Sequence, residues 1–116
     1  MKNMKEEDLW WLIGFVEAAG SFTRNTIVIL REDKKYRYTT PQFFLTSSDP
    51  SAVEAVRSIL GVGRVTLGGR RLEVRRRDEL FRLAALLDGK LRTERRRREF
   101  ARWKALLLQW KRRGDG

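Results

Sequence analysis

The segment LWWLIGFVEAAGSF, residues 9–22, decides how the rest of the chain folds. Between residues 9 and 19 only Glu17 is charged, and a helix that is apolar on every side is buried on every side. This stretch is too short to span a membrane. Gly14 and Ala18 lie one turn apart on one face, where small residues allow a second helix to come close. Gly20 can end the helix. The segment therefore predicts a short central helix packed against a partner helix, followed by an extended strand.

The part WLIGFVEAAGSF, residues 11–22, resembles the signature of the LAGLIDADG homing endonucleases, whose variants commonly read L-A-G-F-(V/I)-D-G-(D/E)-G-S-F. Glu17 stands at the first acidic position of that signature. Ala19 stands at the second, which in the family is the metal-binding carboxylate, so the chain departs from the family there. The matching positions are Leu12, Gly14, Phe15, Val16, Gly20, Ser21 and Phe22.

Length and composition restrict the possible chemistry. A chain of 116 residues suits a single domain, residues 1–116, with a modest core. It contains no cysteine and no histidine, which excludes disulfides, cysteine-based zinc sites and histidine-dependent nucleophilic triads. No signal peptide or membrane span is recognisable, so we expect a cytoplasmic protein in a prokaryote, or an organellar one, with no membrane partner.

Positive charge is concentrated in the second half of the chain. Residues 1–63 hold eight Lys/Arg and eight Asp/Glu, whereas residues 64–116 hold 18 and seven, which accounts for the whole net charge of +11. Such a surplus indicates a polyanionic partner, most often a nucleic acid. The competing interpretation is a solvated, arginine-rich surface of the kind found in thermophile proteins.

Along the chain, the patterns predict helix, hairpin, helix, hairpin, helix and helix. Asn3 with Glu6 is a predicted cap of the first helix. Residues 21–31 and 36–46 form the first hairpin around a polar turn, and Pro41 indicates an edge or a bulge. Asp49-Pro50 begins the second helix.

The second hairpin has a Gly68-Gly69 turn, and Asp78 is the predicted cap of the third helix. Thr93 and Glu94 begin the last helix. Residues 62–64 (VGR) and 91–104 (LRTERRRREFARWK) are also similar to segments of single-motif family members. The resemblance covers almost the whole chain and implies the α+β homing-endonuclease fold, αββαββα with an antiparallel DNA-binding sheet.

The alternation in both hairpins favours a polar sheet face. In the second hairpin Arg64, Arg71 and Arg75 share one side, and the core side is formed by Val65, Leu67, Leu72 and Val74. In the first, the outward set is either Thr23, Asn25 and Arg31 or Arg24 and Thr26, and the pattern leaves this open. A two-stranded ribbon fits the DNA major groove, where Arg bonds guanine and Asn or Gln bonds adenine. The predicted DNA-binding residues are Arg24, Asn25, Arg31, Arg37, Gln42, Arg64, Arg71, Arg75 and, through phosphate, Arg97.

The resemblance also implies a catalytic site at the end of the first helix. In the family the carboxylate at the position of Ala19 holds Mg²⁺ over the scissile phosphate. Here only the backbone oxygens of Ala18 and Ala19 remain, which is a poor site for a hard cation. Glu17 points about 200° away around the helix and cannot substitute. Arg92 or Arg95 matches a basic residue beside the family's site, and Ser47 matches a polar one.

One motif per chain implies a homodimer, because the family's site needs two motif helices side by side. We expect Leu12, Gly14, Phe15 and Ala18 at the dimer interface. The expected function is sequence-specific binding of a pseudo-palindromic DNA duplex by an intron-encoded type of homing endonuclease. Its phosphodiester hydrolysis is expected to be lost or weak because of Ala19.

Three alternatives remain from other classes of protein. They are a non-catalytic DNA-binding regulator, a splicing cofactor that binds intron RNA, and a small basic ribosome-associated protein. The last predicts a monomer with Trp10 and Trp11 exposed. Competition between duplex DNA and structured RNA at fixed salt separates the first two.

Overall fold

The computed structural model describes residues 4–114, with the side chains of residues 4–110. The elements follow the predicted order, and the α+β fold with its antiparallel sheet is confirmed. None of the helices in the described part of the chain is long and apolar enough to cross a membrane. The bounds are α1 (Glu6–Ala19), β1 (Gly20–Arg31), β2 (Lys34–Thr46), α2 (Pro50–Leu60), β3 (Arg64–Thr66), β4 (Arg71–Val74), α3 (Arg77–Leu87) and α4 (Glu94–Gly114).

Helix α1 buries one side only. Leu12, Ile13 and Val16 lie in the core, whereas Trp10 and Trp11 are 43% and 44% exposed. The prediction of burial on every side is therefore wrong for a single chain, because the described part of the chain leaves much of the second apolar side exposed. The predicted cap Asn3 lies outside the described residues, and Lys5 at the cap position makes no side-chain capping bond.

The four strands form one sheet in the order β1-β2-β4-β3. The pairing of β1 with β2 is unbroken from Gly20 opposite Leu45 to Arg31 opposite Lys34. Strand β4 pairs only with residues 43–46 of β2, so most of the first hairpin extends beyond the rest of the sheet. Pro41 lies where β2 has β1 as its sole neighbour, which is the edge environment that its missing N–H requires.

Helix α4 is held against the sheet by aromatic packing. The ring of Phe22 lies 5.3 Å from Phe43, 5.4 Å from Phe100 and 5.2 Å from Trp103, measured between centroids. The indole Nε1 of Trp103 donates to the backbone oxygen of Gln42 at 2.9 Å, so the buried polar tip of the indole is satisfied. These contacts fix which face of the sheet the helices cover.

Both hairpin turns differ from the predicted ones. The last pair of the second hairpin is Thr66 with Arg71, so its loop has four residues, 67–70, instead of Gly68-Gly69 alone. Leu67, predicted on the core side, is 53% exposed because it takes a left-handed conformation within this loop. The first hairpin is tighter than predicted, with only residues 32–33 in the turn. Glu32 and Asp33 both have positive φ, which matches the twist of the flanking strands.

One predicted helix cap is confirmed and one is wrong. The Asp49 side chain accepts a hydrogen bond from the Ser51 N–H at 2.9 Å, and Pro50 occupies the first turn of α2. Asp78 does not cap α3, since the helix starts one residue earlier, at Arg77. Asp78 instead lies in the first turn, where its negative charge still favours the helix dipole.

Candidate functional site

The strand register assigns the side chains of β1 and β2 to two faces. Phe22 and Phe43 are directly opposite each other and both pack on the helical side. Because side chains alternate along a strand, the intervening residues belong to the other face, called the free face below. The register resolves the choice that the sequence left open in β1. The free face of that strand carries Thr23, Asn25 and Arg31.

Three residues predicted to contact DNA do not present an exposed side chain on the free face. Arg24 and Arg37 share the face of Phe22 and not the free face. Arg37 is exposed there because the hairpin extends beyond the helices. Gln42 is on the free face but only 8% exposed, since neighbouring groups cover it. Its amide therefore has little surface available to a base, and the expectation that it reads adenine directly is not supported by its burial.

On the free face, the ring of Phe44 in β2 lies beside two arginines of the second hairpin. The guanidinium carbons of Arg71 and Arg75 lie 5.1 and 5.3 Å from the centre of the Phe44 ring, within cation–π range. Glu73 holds both arginines, with Oε1 3.1 Å from Arg75 Nε and Oε2 3.7 Å from Arg71 Nη1. The Thr66 hydroxyl donates to Glu73 at 3.0 Å. The arginines are therefore positioned before any ligand arrives.

The sequence pattern predicts these arginines but not Phe44 and Glu73, which hold them in place. Phe44 directly follows the core residue Phe43, so alternation along the strand places its ring on the free face. Glu73 lies on the same face of β4 as Arg71, and this spacing is the available signal for an ion pair. Arg64 lies opposite Glu73 in β3 and extends the basic row.

The end of α1 is tied to the start of α4 by Glu17. One carboxylate oxygen of Glu17 accepts hydrogen bonds from the N–H groups of Arg92 and Thr93, the second of these at 3.1 Å. The other oxygen accepts from the Thr93 hydroxyl at 2.5 Å. In addition, Arg96 Nε donates to the backbone oxygen of Glu17 at 2.9 Å. The first acidic position of the motif thus joins two elements and is not available as a metal ligand.

These contacts also set the protonation of Glu17. Burial alone raises the pKa of its carboxyl group, but the hydrogen bonds from Thr93 and Arg92, together with the charge of Arg96, outweigh burial and hold the pKa below its usual value. The folded state therefore favours the charged form. Its contribution to stability is present above the ordinary carboxyl pKa and is lost as the pH falls through the lowered one.

We expect Glu17→Gln to lower the free energy of unfolding at pH 7 by about 1 kcal/mol, since charged hydrogen bonds at a partly exposed site are removed. The wild-type protein should lose stability as the pH falls from about 5 to about 3, and the variant should lose less. Urea unfolding at several pH values measures both effects. Glu54→Gln, at an exposed position of α2, is the matched control. Equal pH dependence in all three proteins contradicts this account of Glu17.

A divalent metal does not fit the end of α1 as the chain stands. Ala19 supplies no side-chain ligand, Glu17 is engaged by α4, and the described residues contain no group of three or more His, Cys, Asp or Glu that could hold a metal ion. The backbone oxygens of Ala18 and Ala19 are neutral and too few for Mg²⁺, which prefers carboxylates and water in a regular octahedron.

The other predicted site residues make different contacts. Arg92 places its guanidinium 5.7 Å from the centre of the Trp10 ring, towards the start of α1. Arg95 is largely exposed and pairs with Glu99 at 3.3 Å. Ser47 follows the end of β2, beside the start of β1, and its hydroxyl accepts from the Asp49 N–H at 3.1 Å.

Arg97 lies in the same first turn of α4, where its N–H bonds the Thr93 backbone oxygen. Its side chain is exposed, so the predicted contact of Arg97 with phosphate stays a prediction. Arg96, which sequence reasoning does not distinguish from its neighbours, is instead used internally, by Glu17 and by Glu99 at 2.7 Å.

The open side of α1 forms an apolar stripe. Trp10, Trp11, Gly14 and Ala18 are exposed, and Phe15 is half-buried against the Trp11 ring at 5.3 Å between centroids. A Cβ atom added at Gly14 meets nothing within 4 Å in the single chain. Of the predicted interface residues, Leu12 is wrong, because it is fully buried in the core of its own chain.

Comparison with known proteins gives matches in structure but not in sequence. No family model and no curated protein sequence matches the chain. A homing endonuclease, I-TnaI, superposes with a TM-score of 0.79 at 21% identity over 96% of this chain and 76% of its own. The group I intron-encoded homing endonuclease I-CeuI, complexed with DNA, gives 0.73 at 18% identity over 97% of this chain and 59% of its own. I-SmaMI, bound to uncleaved DNA in the presence of calcium ions, gives 0.68 at 20% over 97% and 40%.

These matches define the fold. The chain has the fold of the LAGLIDADG homing endonucleases, as the motif in α1 predicted. At these identities the likeness establishes the architecture, and the chain covers less than two thirds of I-CeuI and I-SmaMI.

Proposed function

We propose that this chain binds a specific double-stranded DNA sequence as a homodimer on a homing-endonuclease scaffold, with cleavage lost or weak because of Ala19. Residues 1–116 act as one DNA-binding domain, and two copies read the two halves of a pseudo-palindromic target. The net charge of +11 supplies the electrostatic attraction to phosphates. The chain's fold neighbours I-CeuI and I-SmaMI are both described in complex with DNA, which supports the substrate class.

The observation that carries this proposal is the arginine arrangement on the free face. Arg71 lies in β4 and Arg75 follows its last residue. Both are held by Phe44 and Glu73, and side chains fixed in this way lose little entropy on binding. Arginine forms bidentate bonds with guanine in the major groove, which a two-stranded ribbon can enter. Asn25 and Arg31 extend the same face along the long hairpin.

Dimerisation is supported by the apolar stripe on α1. Soluble monomers seldom leave contiguous large apolar groups uncovered, and the two tryptophans and Phe15 here surround small residues that permit close helix packing. A second copy of the same helix offers a surface of matching chemistry around a two-fold axis. This arrangement brings the two α1 ends, and with them the two copies of Ala19, towards one point.

Cleavage is the part of the family's activity that the chain is least equipped to perform. Family resemblance leads us to expect Mg²⁺, and I-SmaMI is described in the presence of calcium ions. Divalent metals need carboxylates at the scissile phosphate. Ala19 has no carboxylate, so a chain with alanine at this position binds its target and leaves it intact. This observation favours a binding protein, such as a regulator, over an active nuclease.

The specificity of the arginines is testable by substitution. We expect Arg71→Ala or Arg75→Ala to relax preference at one symmetric pair of base positions, at a cost of roughly 1–3 kcal/mol each. Arg97→Ala, on α4, should weaken binding to all sequences alike and reduce the salt slope by about one unit for each phosphate that is no longer neutralised. Binding profiles over a randomised duplex library at two salt concentrations measure both.

Equal, sequence-independent reductions in affinity for all three variants contradict base readout by the second hairpin. Competition by structured RNA at fixed salt provides a separate check on the type of nucleic acid. RNA that displaces the selected duplex at equal concentration favours the splicing-cofactor interpretation instead.

A further inference from the structure

The projecting part of the first hairpin carries an apolar block on the free face. Ile27 lies directly opposite Tyr38, and Ile29 directly opposite Tyr36. Ile27, Tyr38 and Tyr36 are 47%, 40% and 41% exposed. Each pair is two residues from the next, so the block extends about 7 Å along the strands. Two apolar pairs that face solvent within a basic protein need a physical explanation.

The surroundings of this block match a DNA groove better than a protein surface. Arg31 and Lys34 lie at its outer end, and Asn25 lies at its inner end on the same face. Cationic groups there can reach phosphates, while the apolar groups between them face the floor of the groove. The block is also continuous with the proposed DNA-binding surface.

The opposite face of the same hairpin differs. There Val28 and Leu30 are 53% and 66% exposed, but Val28 lies opposite Arg37 and Leu30 opposite Lys35, so each apolar residue is paired with a cation instead of an aromatic ring. Cross-strand packing alone explains apolar residues on either face of a ribbon, because they support strand pairing. It does not explain why the aliphatic–aromatic pairs gather on the free face only.

The apolar feature that the major groove presents is the C5-methyl group of thymine. We propose that Ile27, Ile29, Tyr36 and Tyr38 select thymine in the outer part of each half-site by contact with its methyl group. This inference rests on the proposed DNA-binding function and names the base chemistry that one section of the surface recognises. In the proposed dimer the α1 ends meet at the two-fold axis, so β1 starts near the centre of the site. With β1 running along the groove, a block that begins seven residues beyond the start of β1 places the thymines about seven to nine base-pair steps from that centre.

Removal of single methyl groups tests this directly. The chain is used to select a duplex from a randomised library, and the selected duplex is then synthesised with deoxyuridine in place of each outer thymidine. Deoxyuridine keeps every hydrogen-bonding group and lacks only the methyl. We expect about fourfold weaker binding for each methyl removed, from the transfer free energy of one buried carbon. Replacement of inner thymidines, away from the block, is the matched nucleic-acid control.

Two protein variants separate recognition from hairpin stability. Ile27→Thr replaces the longer apolar branch of the side chain by a hydroxyl on the free face while retaining a β-branched residue, and Val28→Thr introduces a hydroxyl one residue away on the opposite face. The deoxyuridine penalty should shrink to less than about twofold in Ile27→Thr and remain about fourfold in Val28→Thr. A purely structural role weakens binding without changing the ratio between the two duplexes, and that result overturns the inference.

The outcomes distinguish this inference from the function on which it rests. Failure to select any sequence contradicts the proposed specific DNA binding itself. A selected sequence without outer thymines, or an equal affinity for the deoxyuridine duplex, overturns methyl recognition and leaves the DNA-binding function intact. Concentration-dependent self-association that Ile27→Thr abolishes, with an unchanged base preference, assigns the block to protein contact instead.

Discussion

Ala19→Asp should convert a DNA-binding protein into one that cuts both strands of its selected target when magnesium is present. The substitution places a carboxylate at the end of α1, where the resemblance assigns the metal-binding acid of the family. In the proposed dimer two such groups meet. Removing one group that stabilises a transition state slows enzymes by roughly 10²–10³-fold, so restoring the two should raise cleavage by at least that range.

The measurement compares wild type, Ala19→Asp and Ala19→Asn on one selected duplex, with magnesium or with a chelator. Asparagine has the shape of aspartate without its charge, so Ala19→Asn should bind and not cut. Binding measured in calcium should change little among the three proteins. Stability of Ala19→Asp should fall without metal, because two carboxylates close together repel each other.

Absence of cleavage by Ala19→Asp on a duplex that it binds tightly means that the scaffold lacks more than one acid. The non-catalytic regulator is then the better description. Magnesium-dependent cutting by the unsubstituted chain has the opposite consequence, since it requires a metal site that does not depend on residue 19.

Local signals in the sequence are sufficient to predict much of the fold. Helix α1 ends at Ala19 and Gly20 begins β1 with an extended backbone, as the segment predicted. Asp49-Pro50 starts α2 because capping and proline geometry need only neighbouring residues. The alternation in residues 71–74 places Arg71 on the free face for the same reason. Each of these features depends on contacts within a few residues, which a sequence pattern records.

Features that depend on distant contacts are not predictable in this way. The bond between Glu17 and Thr93 joins residues 76 apart, and no local pattern identifies it. Whether Asn25 or Arg24 lies on the free face depends on which side of the sheet α4 covers, and this is set by the contact of α4 with Phe22. The interface prediction is wrong at Leu12 because an apolar helix does not show which side faces its own core.

Gly14→Leu should separate the dimer while leaving each chain folded. In the single chain a Cβ atom added at position 14 meets nothing within 4 Å, and the position is exposed, so we expect the monomer to accommodate leucine. Leucine also favours a helix over glycine by about 0.8–1 kcal/mol, which stabilises α1. In a close helix pair the same side chain overpacks the interface, at roughly 1–3 kcal/mol for each of the two copies.

The expected result is a dimer affinity weakened by roughly thirtyfold to twenty-thousandfold, together with an unchanged or higher unfolding temperature of the monomer. Sedimentation at micromolar concentration, with and without the selected duplex, measures the assembly. Ala105→Leu, at an exposed position of α4, is the control for added apolar surface, and it should leave the dimer intact. Chains that no longer dimerise bind the two half-sites independently. The variant should therefore also lose most of its affinity for the full target and keep its affinity for one half-site. A wild-type protein that is monomeric at these concentrations and binds one copy per palindromic site shows instead that the stripe on α1 serves another partner.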